Sequence, residues 1–239
     1  MKPRAVLEIH ADSVRLIEHD ENGISKTRQI SPDGLAQAVA NDFRHDTGIM
    51  PSPHGVVRMI KKNASTLIVY QIPETRRRIS YQDEGSVGVY KNVLVPSCVF
   101  IFILNQHQNG EYMLRLSHVY AAKGPILITT DTLCRFPFTN VQDDANICWG
   151  GHSTAKQWRN LAGISGFVEQ FFSSNFNAHL ENSNFYPLAV QTPNGRTVRV
   201  DRVHSLIKHL DGVATFPYEI LKPLRSVASI IQNLEGELR

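Results

Sequence analysis

The chain has 239 residues, a formal net charge of +3 and 42% apolar residues. That is the balance of a soluble globular protein with material for one sizeable domain, or a domain with extensions. So small a positive charge, with no long basic block, argues against nucleic acid as a partner. Three cysteines, Cys98, Cys134 and Cys148, sit at no metal-ligand spacing and are too few and odd for a disulfide framework, which fits a reducing compartment. Residues 1–10 lack the apolar run of a signal peptide, and the longest apolar run, 98–104, is too short to span a bilayer. The expectation is a cytoplasmic protein with no membrane partner.

Residues 1–50 read as a small α/β extension. Strands are predicted at 5–9, 14–18 and 26–30, with Asn22-Gly23 as a tight turn before the third. Ser31 reads as an N-cap with Pro32 in the first helical position, and Leu35, Val39, Ala40 and Phe43 share one face of the helix that follows. From residue 54 strands take over. A hairpin is predicted at 55–61 and 65–71, with Pro73 stopping it, and a second at 96–105 and 111–121, turned by Gln108, Asn109 and Gly110. An edge strand is predicted at 126–130. Consecutive hairpins suggest an antiparallel meander. The one basic cluster, Arg76, Arg77 and Arg78 with Arg58, Lys61 and Lys62 before it, reads as a solvated edge or as a dock for an acidic partner surface.

Next comes a Pro-led bend at Pro137, then Asn140 and a polar turn through Asp143, Asp144 and Asn146 that closes on Ile147, Cys148 and Trp149, with Gly150 and Gly151 behind. Beyond it the periodicity is helical, through Trp158, Leu161, Ile164 and the stripe Phe167, Phe171, Phe172, until Ser173 and Ser174 end it. Phe176, His179 and Leu180 begin another short turn. A hairpin with its tip at Pro193, Asn194 and Gly195 fills 185–200, and helices are predicted at 203–210 and 217–234. A strand meander, an irregular loop and then helices make an α+β fold.

Cys148 is the one strong nucleophile on a turn-rich loop, and a thiol so placed is presented outward instead of lying inside a strand. Asn140, across the same turn, can return its side-chain amide toward that sulfur. An amide donor there would stabilise the charge that develops on a carbonyl oxygen during acyl transfer. Its plainer role is to hold the turn through its own backbone.

This stretch resembles the active-site segment of ubiquitin-conjugating enzymes, where a His-Pro-Asn triplet precedes the catalytic cysteine across a short polar turn. Asn140 to Cys148 is similar to that family's Asn-to-Cys separation. Pro137, Asn140, Val141, Cys148, Trp149 and Gly150, with Phe171, Phe172, Ser174 and Phe176 downstream, resemble the bacterial UBC-like proteins more closely: prokaryotic conjugating-enzyme family D, PRTRC system protein B and the conjugating component of bacterial ubiquitin-like operons. The resemblance implies a UBC-like core at 51–184, with extensions at 1–50 and 185–239. It implies that Cys148 carries a ubiquitin-like protein as a thioester and that Asn140 holds the loop or stabilises the oxyanion. The partners implied are a ubiquitin-like modifier, a ThiF-like activating enzyme and a JAB-type peptidase.

Phe138 and Thr139 stand where the eukaryotic triplet has His and Pro, a departure that an apolar Phe138 can meet by packing in place of the His. No motif locates the acidic residue that lowers the incoming lysine's pKa. Asp143 and Asp144 are near in sequence, though both are ordinary turn residues, and His152 is a further candidate base. Trp149 and Trp158 read as core anchors or a partner-facing platform, and Cys98 and Cys134 as structural. His204 and His209 are at no helical ligand spacing. No phosphate loop and no Ser-centred nucleophile elbow calls for a cofactor, so activation falls to a separate enzyme. The rival readings are an inactive UBC-like adaptor that binds a modifier or activating enzyme, and a cysteine hydrolase pairing Cys148 with His152 or a distant His.

Overall fold

The structure is a computed structural model that describes residues 5–9, 14–19, 25–30, 45–46, 55–126, 128–150, 163–181, 184–191 and 194–238. The chain divides into two compact units, 1–44 and 45–239. In the first, β1 (Ala5–Ile9), β2 (Val14–His19) and β3 (Ser25–Ile30) form an antiparallel sheet in that order. They fall within a residue of the strands predicted. The predicted Asn22-Gly23 turn and the helix after Pro32 lie outside the described residues.

The second unit opens with β4 (His45–Asp46), β5 (Gly55–Lys62) and β6 (Ser65–Ile72). A long hairpin follows, β7 (Thr75–Asp83) and β8 (Ser86–Val95), and then β9 (Ser97–Gln106), β10 (Tyr112–Ala122) and β11 (Thr132–Arg135). After α1 (Ile164–Ser173) come β12 (Asn175–Asn177), β13 (Leu188–Gln191), β14 (Thr197–Val200), α2 (Val203–Leu210), β15 (Pro223–Ser226) and α3 (Val227–Glu235). The main sheet runs β15-β11-β10-β9-β6-β5-β4, antiparallel at every pairing. With three helices among the described residues, the fold is α+β.

β9 lies in the middle of this sheet, and its run from Ser97 to Leu104 is buried throughout. A strand buried on both faces needs an unbroken apolar run instead of an alternating one. On one face Phe100 and Phe102 meet Phe167, Phe171 and Phe172 of α1 at ring separations of 5.5 to 6.1 Å. Helical spacing gathers those three phenylalanines on one stripe. On the other face, β10 presents His118 and Tyr120 toward Ile230 and Leu234 of α3.

The hairpin β7–β8 has no counterpart among the predicted elements. Its inner face buries Ile79 and Tyr81, and Tyr81 stacks on His204 of α2 at 4.4 Å. The basic cluster sits at its start, and two of its arginines are engaged within the chain. Arg76 donates to the carbonyls of Asn92 and Val213. Arg77 bonds both carboxylate oxygens of Glu169 at 2.7 Å and lies 5.0 Å above the Phe172 ring. β12 then joins β7 in parallel, a pairing that needs a crossover, and α1 precedes it.

Two predicted elements differ in the structure. Residue 126 and residues 128–130 are loop, because the Asp131 carboxylate accepts the Ile128 N–H at 3.0 Å and closes a turn; the strand is β11, just beyond. The helix predicted over 217–234 is a 3-10 turn (Tyr218–Ile220), then β15, then α3. Pro223 disfavours helical backbone at Lys222 and has no N–H to donate, both of which suit an edge strand. Ser226 then caps α3 by accepting the Ser229 N–H at 3.3 Å. No helix among the described residues is long and apolar enough to cross a membrane.

Candidate active site

Burial fixes the approach to the cysteine. Beyond β11 the chain buries Phe136 and Phe138, whose rings meet edge to face at 5.3 Å, and Phe138 also meets Phe176 of β12. Thr139 is fully buried, with its Oγ1 accepting the Asn177 N–H at 3.3 Å. Asn184, itself buried, donates to the Phe138 carbonyl at 2.9 Å. Phe138 therefore fills an apolar slot as an anchor.

From Asn140 to Cys148 the backbone closes on itself. The Cys148 N–H donates to the Asn140 carbonyl at 2.9 Å, Val141 bridges to Ile147, and the Gln142 N–H donates to the Asn146 carbonyl at 2.9 Å. The tip is turned by Ala145, whose N–H reaches the Gln142 carbonyl and whose φ is 71°. Asp144 Oδ1 accepts the Asn146 N–H at 2.9 Å, a local Asx bond. This small hairpin docks on β10: the Ile147 N–H donates to the Ser117 carbonyl, and the Val119 N–H to the Ala145 carbonyl. A loop tied at both ends and to a sheet strand holds its next residue in a fixed place.

That residue is Cys148. Cys98 and Cys134 are buried, and burial pushes both thiols up, so neither is a ready nucleophile; Cys148 is partly exposed. It lines a cavity of about 270 Å³ together with Asn140, Trp149, Ser174, Asn177 and His179. Trp149 packs on Phe167 at 5.8 Å and so seats the loop on α1.

Asn140 shares the cavity, but its amide has other partners. Nδ2 donates to Ser174 Oγ at 3.2 Å and to the Asn175 carbonyl at 3.0 Å. Both donors tie the loop to the junction of α1 and β12. The residue is buried and sits at φ 62°, a left-handed conformation that Asn tolerates.

Asp143 and Asp144 are not brought to the sulfur. Asp143 pairs with Arg135 at 2.8 Å, and the two aspartates line a different cavity, beside His118 and Tyr120. Successive residues of a strand face opposite sides of the sheet. His118 faces α3, whereas Ser117 faces the side on which Trp149 and the thiol lie. The loop thus straddles the sheet edge, with its acidic tip on one side and Cys148 on the other. His152, Gly151 and Trp158 lie outside the described residues.

Several residues reach the cavity without any signal near the cysteine in sequence. Gln82 comes from β7, Ser174 from the C-cap of α1, Asn175 from the start of β12, and His179 from a 3-10 turn (Ala178–Leu180). Only the parallel pairing of β12 with β7 assembles them. Among the described residues no three His, Cys, Asp or Glu side chains gather to hold a metal ion.

A family model described as Prokaryotic E2 family D matches residues 41–224. No curated protein and no solved structure matches the chain.

Proposed function

The chain belongs to prokaryotic E2 family D, and from that premise we propose that it carries a ubiquitin-like protein on Cys148 and transfers it to an amine. A thiol attacks the carbonyl of the modifier's C-terminal thioester on a separate activating enzyme, and that enzyme's sulfur leaves. The acyl group then rests on Cys148 until an amine nitrogen displaces the sulfur. A thioester is reactive enough for this attack, and the amide formed is far more stable. The observation that carries the reading is the placing of Cys148, partly exposed on a loop closed by hydrogen bonds, at a cavity shared with Asn140. The engaged donors of Asn140 support its loop-holding role over the oxyanion role.

The element order agrees. β5, β6, β9 and β10 stand side by side in antiparallel pairs, and the cysteine loop and α1 follow. We assign the UBC-like core to 51–184, with 1–50 and 185–239 as extensions. The partners are a ubiquitin-like modifier, a ThiF-like activating enzyme and a JAB-type peptidase.

The test combines the protein with its cognate modifier, activating enzyme and ATP on a non-reducing gel. A thiol-sensitive adduct is expected, and Cys148→Ser should turn it into a thiol-resistant ester. No adduct with the authentic partners would overturn the reading in favour of an adaptor that binds without carrying. The engagement of both Asn140 donors is the observation that favours this second reading. Alkylation checks what both readings share: Cys148 should react well before Cys98 and Cys134, as the exposure of the three thiols requires.

A further inference from the structure

Transfer to an amine leaves a proton to be placed. A neutral amine nitrogen becomes positively charged as it bonds the thioester carbon, and one of its protons must then go to a base before the product can form. The acidic loop residues cannot serve, since Asp143 is held by Arg135 and both aspartates face the other side of the sheet. The other described residues around Cys148 present amide, hydroxyl, indole and aliphatic groups. Among the described residues that line it, His179 is the one titratable side chain besides the thiol.

From this, and resting on the reading of Cys148 as the acyl carrier, we infer that His179 is the general base of the transfer step. The amine nitrogen bonds the acyl carbon and its proton passes to the imidazole. The C–S bond breaks with its electron pair going to Cys148 Sγ, and the imidazolium returns the proton to water. His179 is exposed, which suits a group that must meet an incoming amine and then exchange with solvent.

Its backbone is nevertheless fixed. The His179 N–H donates to Asn177 Oδ1 at 2.8 Å, capping the 3-10 turn. Asn177 in turn pairs with Gln82 of β7 and donates its own N–H to Thr139, the residue before Asn140. Thiol and imidazole are thus carried by segments bonded to one another at the foot of the cavity. Glu181, two residues on, is turned away, accepting the Val203 N–H at 2.6 Å and lying 3.8 Å from Arg202.

The experiment uses the full chain and needs no cognate modifier. A fluorescent peptide ending in Gly-Gly, supplied as its mercaptoethanesulfonate thioester, loads Cys148 by thiol exchange, and the isolated adduct is discharged with free lysine or with hydroxylamine. Hydroxylamine is neutral at working pH, and once bonded its weakly basic nitrogen gives up its proton to water without help. His179→Ala and His179→Gln should load as the native protein does. They should release the peptide to lysine about 100-fold more slowly, within the usual range for a lost general base, while discharging to hydroxylamine at the native rate.

Unchanged lysine discharge in His179→Ala would overturn the inference. So would an equal slowing with hydroxylamine, which is the mark of a structural role, or a loss confined to His152→Ala. Failure of the native protein to load at all would instead overturn the reading of Cys148, and this inference with it.

Discussion

Trp149 donates its indole N–H to the Ser117 hydroxyl at 2.9 Å, which joins the residue after the thiol to the strand that carries the loop. Ser117 is buried, so its hydroxyl has no water to turn to when that partner is lost. Trp149→Phe keeps the ring contact with Phe167 but removes the donor, and should lower stability by about 1 kcal/mol. Urea denaturation measures it. With Ser117→Ala it completes a double-mutant cycle that isolates the pair. Alkylation of Cys148 in the same variants should change too, since the loop end is freed.

Asn140 combines an unusual backbone with two engaged donors, and the two effects separate by substitution. Asn140→Gly keeps the φ of 62° and removes the bonds to Ser174 and Asn175, at a cost of about 1 to 2 kcal/mol. Asn140→Ala loses the same bonds and adds the left-handed penalty, about 1 kcal/mol more. Thermal unfolding should rank native, Gly, Ala. Well below the transition, thioester discharge in Asn140→Gly should fall less than about tenfold; a fall of about 100- to 1000-fold would assign the amide to the oxyanion after all.

The tip of the loop can be improved. Ala145 stands in the left-handed region at φ 71°, one residue before Asn146 pairs back to Gln142. Three-residue hairpin turns place glycine there, because a Cβ crowds the following carbonyl. Ala145→Gly should raise the unfolding free energy by up to about 1 kcal/mol, with Cys148 reactivity unchanged. A loss of stability would show that the methyl group's packing outweighs the strain.

His118 gives the fold a dependence on acidity. Burial holds its pKa below the ordinary 6.5, partly opposed by Asp144. The native state therefore binds fewer protons than the unfolded chain below pH 6.5. The stabilisation from a neutral His118 is full above that value and is lost as pH falls through the lowered folded value. Chemical denaturation from pH 7 down to about pH 5 should show native stability falling more steeply than that of His118→Gln, which keeps a polar group facing Tyr120 but cannot be protonated. Equal slopes would remove His118 from the account.

Much of the strand pattern was legible locally. The strands of the first unit, the β9–β10 hairpin around Asn109 and Gly110, and α2 all follow from alternation, turn residues and helical spacing. The β7–β8 hairpin was hidden because its first half reads as a run of arginines. Two of these bond to acceptors distant in sequence, Arg76 to Val213 and Arg77 to Glu169. The segment 217–234 reads as one helix because its apolar periodicity continues through Pro223. Pairing with β11 outweighed that periodicity.

By itself the sequence determined the cysteine loop: its bend, its polar turn, its closing thiol and the spacing that marks the family. These are local, since a turn residue acts on its own backbone. Only the tertiary structure decided what surrounds the sulfur. Which side of the sheet each loop residue faces is set by the alternation of β10, to which the loop is bonded. That alternation sends Asp143 and Asp144 away from the thiol, while the pairing of β12 with β7 brings His179 to it. A strand pairing joins residues far apart in the chain, so no window of sequence around Cys148 contains it.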